Sequence, residues 1–289
     1  VHTEFGLEYL ENRSLLSELK IIWAIIKKNF KIEVRYPLNF LTYTVIPLST
    51  IVSIVHNVFD ALTFGPSPGF MEYTGIVDYI AYAVVSFNIW RFFLSIFQGT
   101  RQQIRREQTQ GTLEVAYTTP VRRWVFTAGL CLSDFFTFMP SIFALALSSY
   151  MMGVRLNMTF PRVLLTLLIF FIGVIGNLGV GLIYASTIIR YKEPGAIDMF
   201  MIHPMIYYTG AGYTVAALPL TSRIVSYLLP LTYTFDGLRW AMLGTKTLLP
   251  MHIEIALLVL VSGLFLVVGI VLVRRFERAV LLKDGFGSY

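Results

Sequence analysis

Charge is what this sequence has least of. Asp, Glu, Lys and Arg make up 14% of its 289 residues and hydrophobic residues 56%, whereas soluble domains are roughly one-quarter charged. That composition excludes a water-soluble globular fold. Cysteine is almost missing too: Cys131 is the single one and lies in an apolar run, so no intrachain disulfide can form and the redox compartment is left open. There is no G-x4-G-K-[ST] run, hence no glycine-rich cradle with its lysine to hold nucleotide phosphates, and the chain is not expected to power itself with ATP. A G-x-S-x-G elbow, a zinc-spaced Cys/His group and a histidine pair one helical turn apart are likewise missing; His2, His56, His203 and His252 are scattered. With no nucleophile, metal site or paired carboxylates in view, an enzyme is the least favoured class. The first twenty residues are polar and acidic ahead of any long apolar run, so no cleavable signal is expected and the N-terminus should be retained.

What the chain does have is apolar runs near the roughly 20 residues that a bilayer crossing needs. The expected fold is an all-α membrane protein. Residues 1–36 form a cytoplasmic N-terminus and an interfacial amphipathic helix, with Leu15, Leu19, Ile22, Ile26 and Phe30 on one face and Lys20, Lys27, Lys28, Lys31 and Arg35 on the other. Residues 37–274 form a six-helix transmembrane domain, with crossings near 37–58, 76–97, 124–151, 161–189, 199–218 and 253–273. Within it lie a cytoplasmic loop over 99–123 and an outer re-entrant region over 219–250, built of two apolar pieces too short to cross singly, Thr221 to Leu229 and Thr232 to Gly244. The fifth crossing is expected to kink at His203 and Pro204, and residues 275–289 form a cytoplasmic tail. A formal charge of +6 would point to nucleic acid in a soluble protein. Here the basic residues instead sort by side: most flank the inner ends, while Arg155, Arg162, Arg223, Arg239 and Lys246 fall outside. An even number of crossings keeps the Arg274, Arg275 and Arg278 cluster on the inner side with the N-terminus.

The 99–123 loop contains Glu107, Gly111, Thr112, Leu113 and Glu114, then Thr119, Pro120 and Val121. A glycine, a short helix-forming run and a closing Thr-Pro read as a small helix lying across the loop or as a plain solvated loop. The run E-x3-G-T-L-E-x5-P-V, Glu107 through Val121, resembles the signature of the type-2 ABC export permeases. Leu229, Pro230, Leu231, Thr232 and Tyr233, followed by Asp236 and Arg239, resemble that family's second signature, approximately N-P-L-T-Y with a downstream D-x2-R; Leu229 stands where many members carry Asn. The resemblance follows the whole chain in order. It implies a permease subunit that pairs with a second, identical or related, permease and receives a separate nucleotide-binding ATPase from the cytoplasm. ATP and Mg would belong to that partner, with no cofactor in this chain and no nucleic acid involved. Glu107, Gly111, Thr112, Leu113, Glu114 and Pro120 would form the helix that contacts the ATPase. The G-T-L-E run leans toward the drug and antibiotic branch, with an amphipathic, lipid-like or glycan-linked cargo.

Charges inside apolar runs usually pair or line a cavity. Asp134, near mid-membrane, is expected to pair with Arg91 if the second and third crossings touch, with a place on the transport path as the alternative. Asp236 and Arg239, three apart on a short helix, are neighbours expected to lock the re-entrant turn. Tyr207, Tyr208, Tyr213, Tyr227, Tyr233 and Trp240 read as an interfacial belt or, less favoured, as a lining for an aromatic or sugar-bearing cargo. Gly173, Asn177, Gly181 and Ala185 form a small-residue stripe for close helix packing, either within the chain or between subunits. The functional alternative of another class is a proton-coupled secondary transporter working through Asp134, which would leave the 107–121 run unexplained.

Overall fold

The computed structural model describes residues 15–35, 68–75, 79–109, 124–133 with 135–136, 156–191, 194–211 and 213–283, and the single positions 122 and 150. Among the described residues the chain is helical apart from short connections, without strands. In order the elements are α1 (Leu15–Arg35), α2 (Pro68–Thr74), α3 (Tyr79–Thr109), α4 (Trp124–Ser133), α5 (Phe160–Tyr191), α6 (Pro194–Ile197), α7 (His203–Tyr208), α8 (Leu220–Tyr227), α9 (Pro230–Leu243) and α10 (Met251–Lys283). Two helices are long and apolar enough to cross a bilayer, over Phe160–Ile188 and Met251–Phe276. Only 33% and 22% of their most apolar windows are buried, whereas the core helix of a soluble protein would be enclosed. Leu164, Leu168, Phe171 and Ile175 on α5, and Leu260, Leu264, Val267 and Val271 on α10, stand exposed. So large an apolar surface needs lipid or another helix against it.

α5 and α10 meet backbone to backbone. A Cβ built on Gly179 would lie 2.5 Å from the amide nitrogen of Leu266, and one on Gly269 would lie 2.7 Å from the carbonyl oxygen of Gly179. The predicted stripe on α5 also packs within the chain. Gly173 abuts Thr234 of α9, Asn177 Nδ2 donates to the Phe93 carbonyl of α3 at 3.0 Å, Gly181 abuts Ile96, and Ala185 is fully buried. Between α3, α4, α5 and α9 lies a core of rings, with Phe92 4.9 Å from both Phe135 and Phe170 and with Phe93 6.4 Å from Phe235.

α1 has three faces rather than the expected two. Glu18, Ile26 and Asn29 turn into the protein, where Asn29 Nδ2 donates to Ser133 Oγ at 3.0 Å and Ile25 fills the space left by Gly129. Leu16, Leu19, Trp23, Phe30 and Val34 are exposed in a second sector, and Lys20, Lys27, Lys31 and Arg35 are exposed in a third. The single apolar face expected from the sequence is therefore divided, with Ile22 and Ile26 going to the core and Leu19 and Phe30 going outward. At 100° per residue Glu18 and Asn29 fall beside Ile22, so two polar residues belong to the protein-facing sector.

Two further expectations change. α3 runs unbroken to Thr109, so Arg101, Arg105 and Arg106 sit on a helix and not in a loop. The apolar run 199–218 is not one helix: α6 passes into a π-helical turn over Asp198–Ile202, α7 ends at Tyr208, Gly210 takes φ +74°, and a 3-10 turn follows over Val215–Ala217. Pro204 in the first turn of α7 has no N–H to give to the preceding turn, and a π-helical turn accommodates that loss. Arg223 then folds back to donate to the carbonyls of Ala216 and Leu218 at 2.6 and 2.9 Å, fixing the 3-10 turn. The two short helices expected between residues 219 and 250 are present as α8 and α9, each starting at a proline boundary.

Candidate functional site

The second signature folds into a buried polar knot. Pro230 opens α9 with Leu229 ahead of it in an extended conformation that offers no side-chain cap. Hydroxyls inside α9 instead serve the helix before it, donating to carbonyls at its end. Thr232 Oγ1 donates to the Ser226 carbonyl at 2.7 Å and Tyr233 OH to the Tyr227 carbonyl at 2.8 Å, tying the first turn of α9 to the end of α8. Replacing Thr232 by Val keeps the shape and removes one of these bonds. The expected cost is about 1 kcal/mol, read as a fall of roughly 2–4 °C in the melting temperature of the purified chain.

Pro230, Leu231, Thr232, Tyr233, Asp236 and Arg239 are all buried. Arg239 is 1% exposed and reaches two other segments of the chain. Its Nη1 donates to Tyr82 OH at 2.6 Å and Ser86 Oγ at 3.3 Å on α3, and to the Gly210 carbonyl at 2.7 Å. Its guanidinium carbon lies 4.7 Å from the Tyr82 ring centroid, a cation–π contact in a desolvated place. Asp236 Oδ1 stands 3.7 Å from Nη2, too long for a hydrogen bond but close enough for strong attraction where water is excluded. Asp236 Oδ2 accepts the Leu248 amide at 2.8 Å, and Glu254 Oε1 accepts the Leu249 amide at 2.8 Å. The Asp236 and Glu254 carboxyls thus accept two successive amides of one turn. The knot thereby joins α3, α9, α10 and the turn after α7.

The sequence had placed Asp236 and Arg239 together, and they are. It had not found Tyr82, Ser86 or Glu254. Tyr82 and Ser86 lie four apart on one face of α3, and Glu254 is an acid in the first turn of a long apolar helix; those were the available signals. Among the aromatics taken for a belt, Tyr233 is 3% exposed and Tyr207 60%, so the group divides between structure and surface. Arg91 is half-buried on α3, while its expected partner Asp134 lies outside the described residues. Glu107 falls near the end of α3; Gly111, Thr112, Leu113, Glu114 and Pro120 lie outside the described residues. The far end of that loop is anchored, because Arg122 Nη1 is 2.7 Å from Glu18 Oε1, which is 4% exposed on α1.

Residues 21–243 match the family model of the ABC-2 type transporter. The chain belongs to this family. The match begins in α1, takes in both signature runs and ends with the last residue of α9, so the whole ABC-2 signature region precedes α10. Membership together with the exposed apolar helices makes this ABC-2 protein a membrane-embedded transport permease subunit. No characterised protein matches the chain closely enough to be named as a relative.

Proposed function

We propose that this permease is the membrane half of an ATP-driven exporter, working as a pair of permease subunits with a separate ATPase docked over 99–123, on the end of α3 and the loop that follows it. What carries this reading is the ABC-2 match across residues 21–243, which takes in that loop and both of its signature runs. ATP and Mg belong to the partner. This chain's part is to receive a movement at the inner surface and deliver it to the path. Glu107, Gly111, Thr112, Leu113, Glu114 and Pro120 form the receiving element; by the charge bias it faces the cytoplasm, as do both termini, in a six-crossing cell-membrane domain.

α3 supplies the lever. It is one helix of 31 residues, about 45 Å at 1.5 Å per residue, with Glu107 near one end and the Arg239 partners Tyr82 and Ser86 near the other. A push on the loop reaches the polar knot through a single rigid rod, and the Arg122–Glu18 pair carries the same push into α1. α8 and α9 form the outer re-entrant pair that the knot holds shut, and the broken segment Pro194–Ala217 supplies the place where the chain can bend. The cargo is an amphipathic, lipid-like, drug-like or glycan-linked compound.

The test is co-purification with the candidate ATPase, followed by ATP turnover with and without this chain. A stable complex with altered turnover supports the reading. A chain that purifies alone and leaves turnover unchanged turns attention to proton-coupled transport. Within a stable complex, Glu114→Arg should cut cargo-stimulated turnover by at least tenfold, because reversing a charge at a docking face opposes association. Unchanged coupling in that variant removes Glu114 from the interface.

A further inference from the structure

Beside the seam between α5 and α9 lies a cavity of about 280 Å³, closed on its third side by α3. Phe92, Phe93, Phe170, Leu238 and Met242 are among its lining residues, and almost none of its surface is polar. Thr166 borders it, but its hydroxyl already donates to the Arg162 carbonyl at 2.7 Å. The cavity reaches the surface at Leu156 and Leu167, which are 39% and 47% exposed. A methylene fills about as much space as a water, roughly 30 Å³. The volume therefore suits a single aliphatic chain of about nine carbons.

A cation stands where such a chain would end. Arg162 lies one helical turn before Thr166, in the first turn of α5. Its guanidinium carbon is 5.9 Å from the Trp240 ring centroid, and its Nη1 is 3.6 Å from where a Cβ of Gly244 would be. Thr166, one turn on from Arg162 on the same face of α5, borders the cavity, so the charge sits at its rim. Nη1 is buried and makes no hydrogen bond among the described residues. The C-terminal end of α9 favours a cation nearby, which accounts for the charge but leaves that donor unused. A cation in the first turn of α5 is also the wrong sign for that helix end, and an anion bound there would answer both the orphan donor and the helix dipole.

We propose that this cavity binds an anionic single-chain amphiphile, its tail among Phe92, Phe170 and Leu238 and its acidic head on Arg162. The site goes beyond the exporter reading and stands without it, because binding needs no ATPase. Failure of the binding test and failure of the ATPase test are therefore separate results.

Radiolabelled decyl phosphate is the probe, titrated onto the full chain in discs of zwitterionic phosphatidylcholine, with empty discs subtracted. Saturable binding is expected, competed by unlabelled decyl phosphate and not by decyltrimethylammonium. Arg162→Gln should weaken it by about tenfold or more, as loss of a charge-assisted bond requires, and Arg162→Lys should retain part of the affinity. Leu167→Trp, a change at a half-exposed position that fills the slot, should abolish saturable binding while leaving the melting temperature of the chain within about 2 °C of the parent, as surface substitutions do. Uptake equal to that of empty discs, or equal in parent, Arg162→Gln and Leu167→Trp, overturns the proposal. So does equal competition by the cationic amphiphile. Two further arms separate the sources of the ligand once binding is saturable. Mass analysis of chain extracted from membranes identifies a resident acidic lipid, and ATP-dependent loss of decyl phosphate from vesicles bearing the ATPase complex identifies a cargo.

Discussion

Arg239→Met is expected to cost the chain about 3–5 kcal/mol, the usual penalty for stripping one partner from a buried charge cluster. Methionine fills most of the volume, so the loss comes from charge and hydrogen bonds more than from packing. Tyr82, Ser86 and the Gly210 carbonyl each lose a partner, and the buried Asp236 carboxylate is stranded without the cation beside it. The fall in melting temperature should be on the order of 10 °C. Adding Asp236→Asn to Arg239→Met removes that stranded charge and should recover a substantial part of the loss, a coupling that a double-mutant cycle on the purified chain reads directly. Additive effects of the two changes would show that the Arg239–Asp236 attraction contributes little, and that the hydrogen bonds to α3 and Gly210 hold the knot without it.

The second large effect lies where α5 crosses α10. Gly179→Leu puts a side chain where the Leu266 amide nitrogen and the Phe265 carbonyl carbon would each lie 2.5 Å from its Cβ. Backbone cannot step aside as a flexible side chain can, so the helices must separate. About 3 kcal/mol or more should be lost, at the upper end of overpacking penalties. Gly263 on the same α10 is the internal control, since a Cβ there meets nothing within 4 Å. Gly263→Ala should be neutral or stabilise by about 0.5–1 kcal/mol, the ordinary helix-propensity gain over glycine. Equal behaviour of the two variants in thermal unfolding would mean that the α5–α10 contact is not tight in the working protein.

Length and hydropathy made α5 and α10 readable in advance, because each supplies the roughly 20 apolar residues a crossing needs. Pro219, Pro230 and Pro250 made α8 and α9 readable as well, since proline fixes where a helix can begin and the stretches between were too short to cross. The first signature gave the family, and Asp236 with Arg239 gave the centre of the knot. The remainder depended on tertiary geometry. Gly179 sits off the four-residue stripe of Gly173, Asn177, Gly181 and Ala185, so its meeting with Gly269 could be found only with both helices in place. Glu254 went unnoticed because only the Leu248–Leu249 turn, whose amides both carboxyls accept, brings it near Asp236. On α1, the two-faced reading assigned Glu18 and Asn29 to neither face, while Arg122 and Ser133 were waiting for them in the fold. Hydropathy also counted 199–218 as one crossing, because it sums residues and takes no account of a backbone that changes pitch at Asp198–Ile202.

The backbone contact between α5 and α10 limits what can move. Helices separated by a layer of side chains can slide by exchanging rotamers, one small barrier after another. Here Gly179 and Gly269 leave no such layer, and a shift of even one residue would drive a neighbouring side chain into bare backbone. The two helices behave as a fixed post. Whatever opens and closes during a transport cycle must turn around that post, and labels placed on α5 and α10 should keep a constant separation while those on α3 and the Pro194–Ala217 segment change theirs.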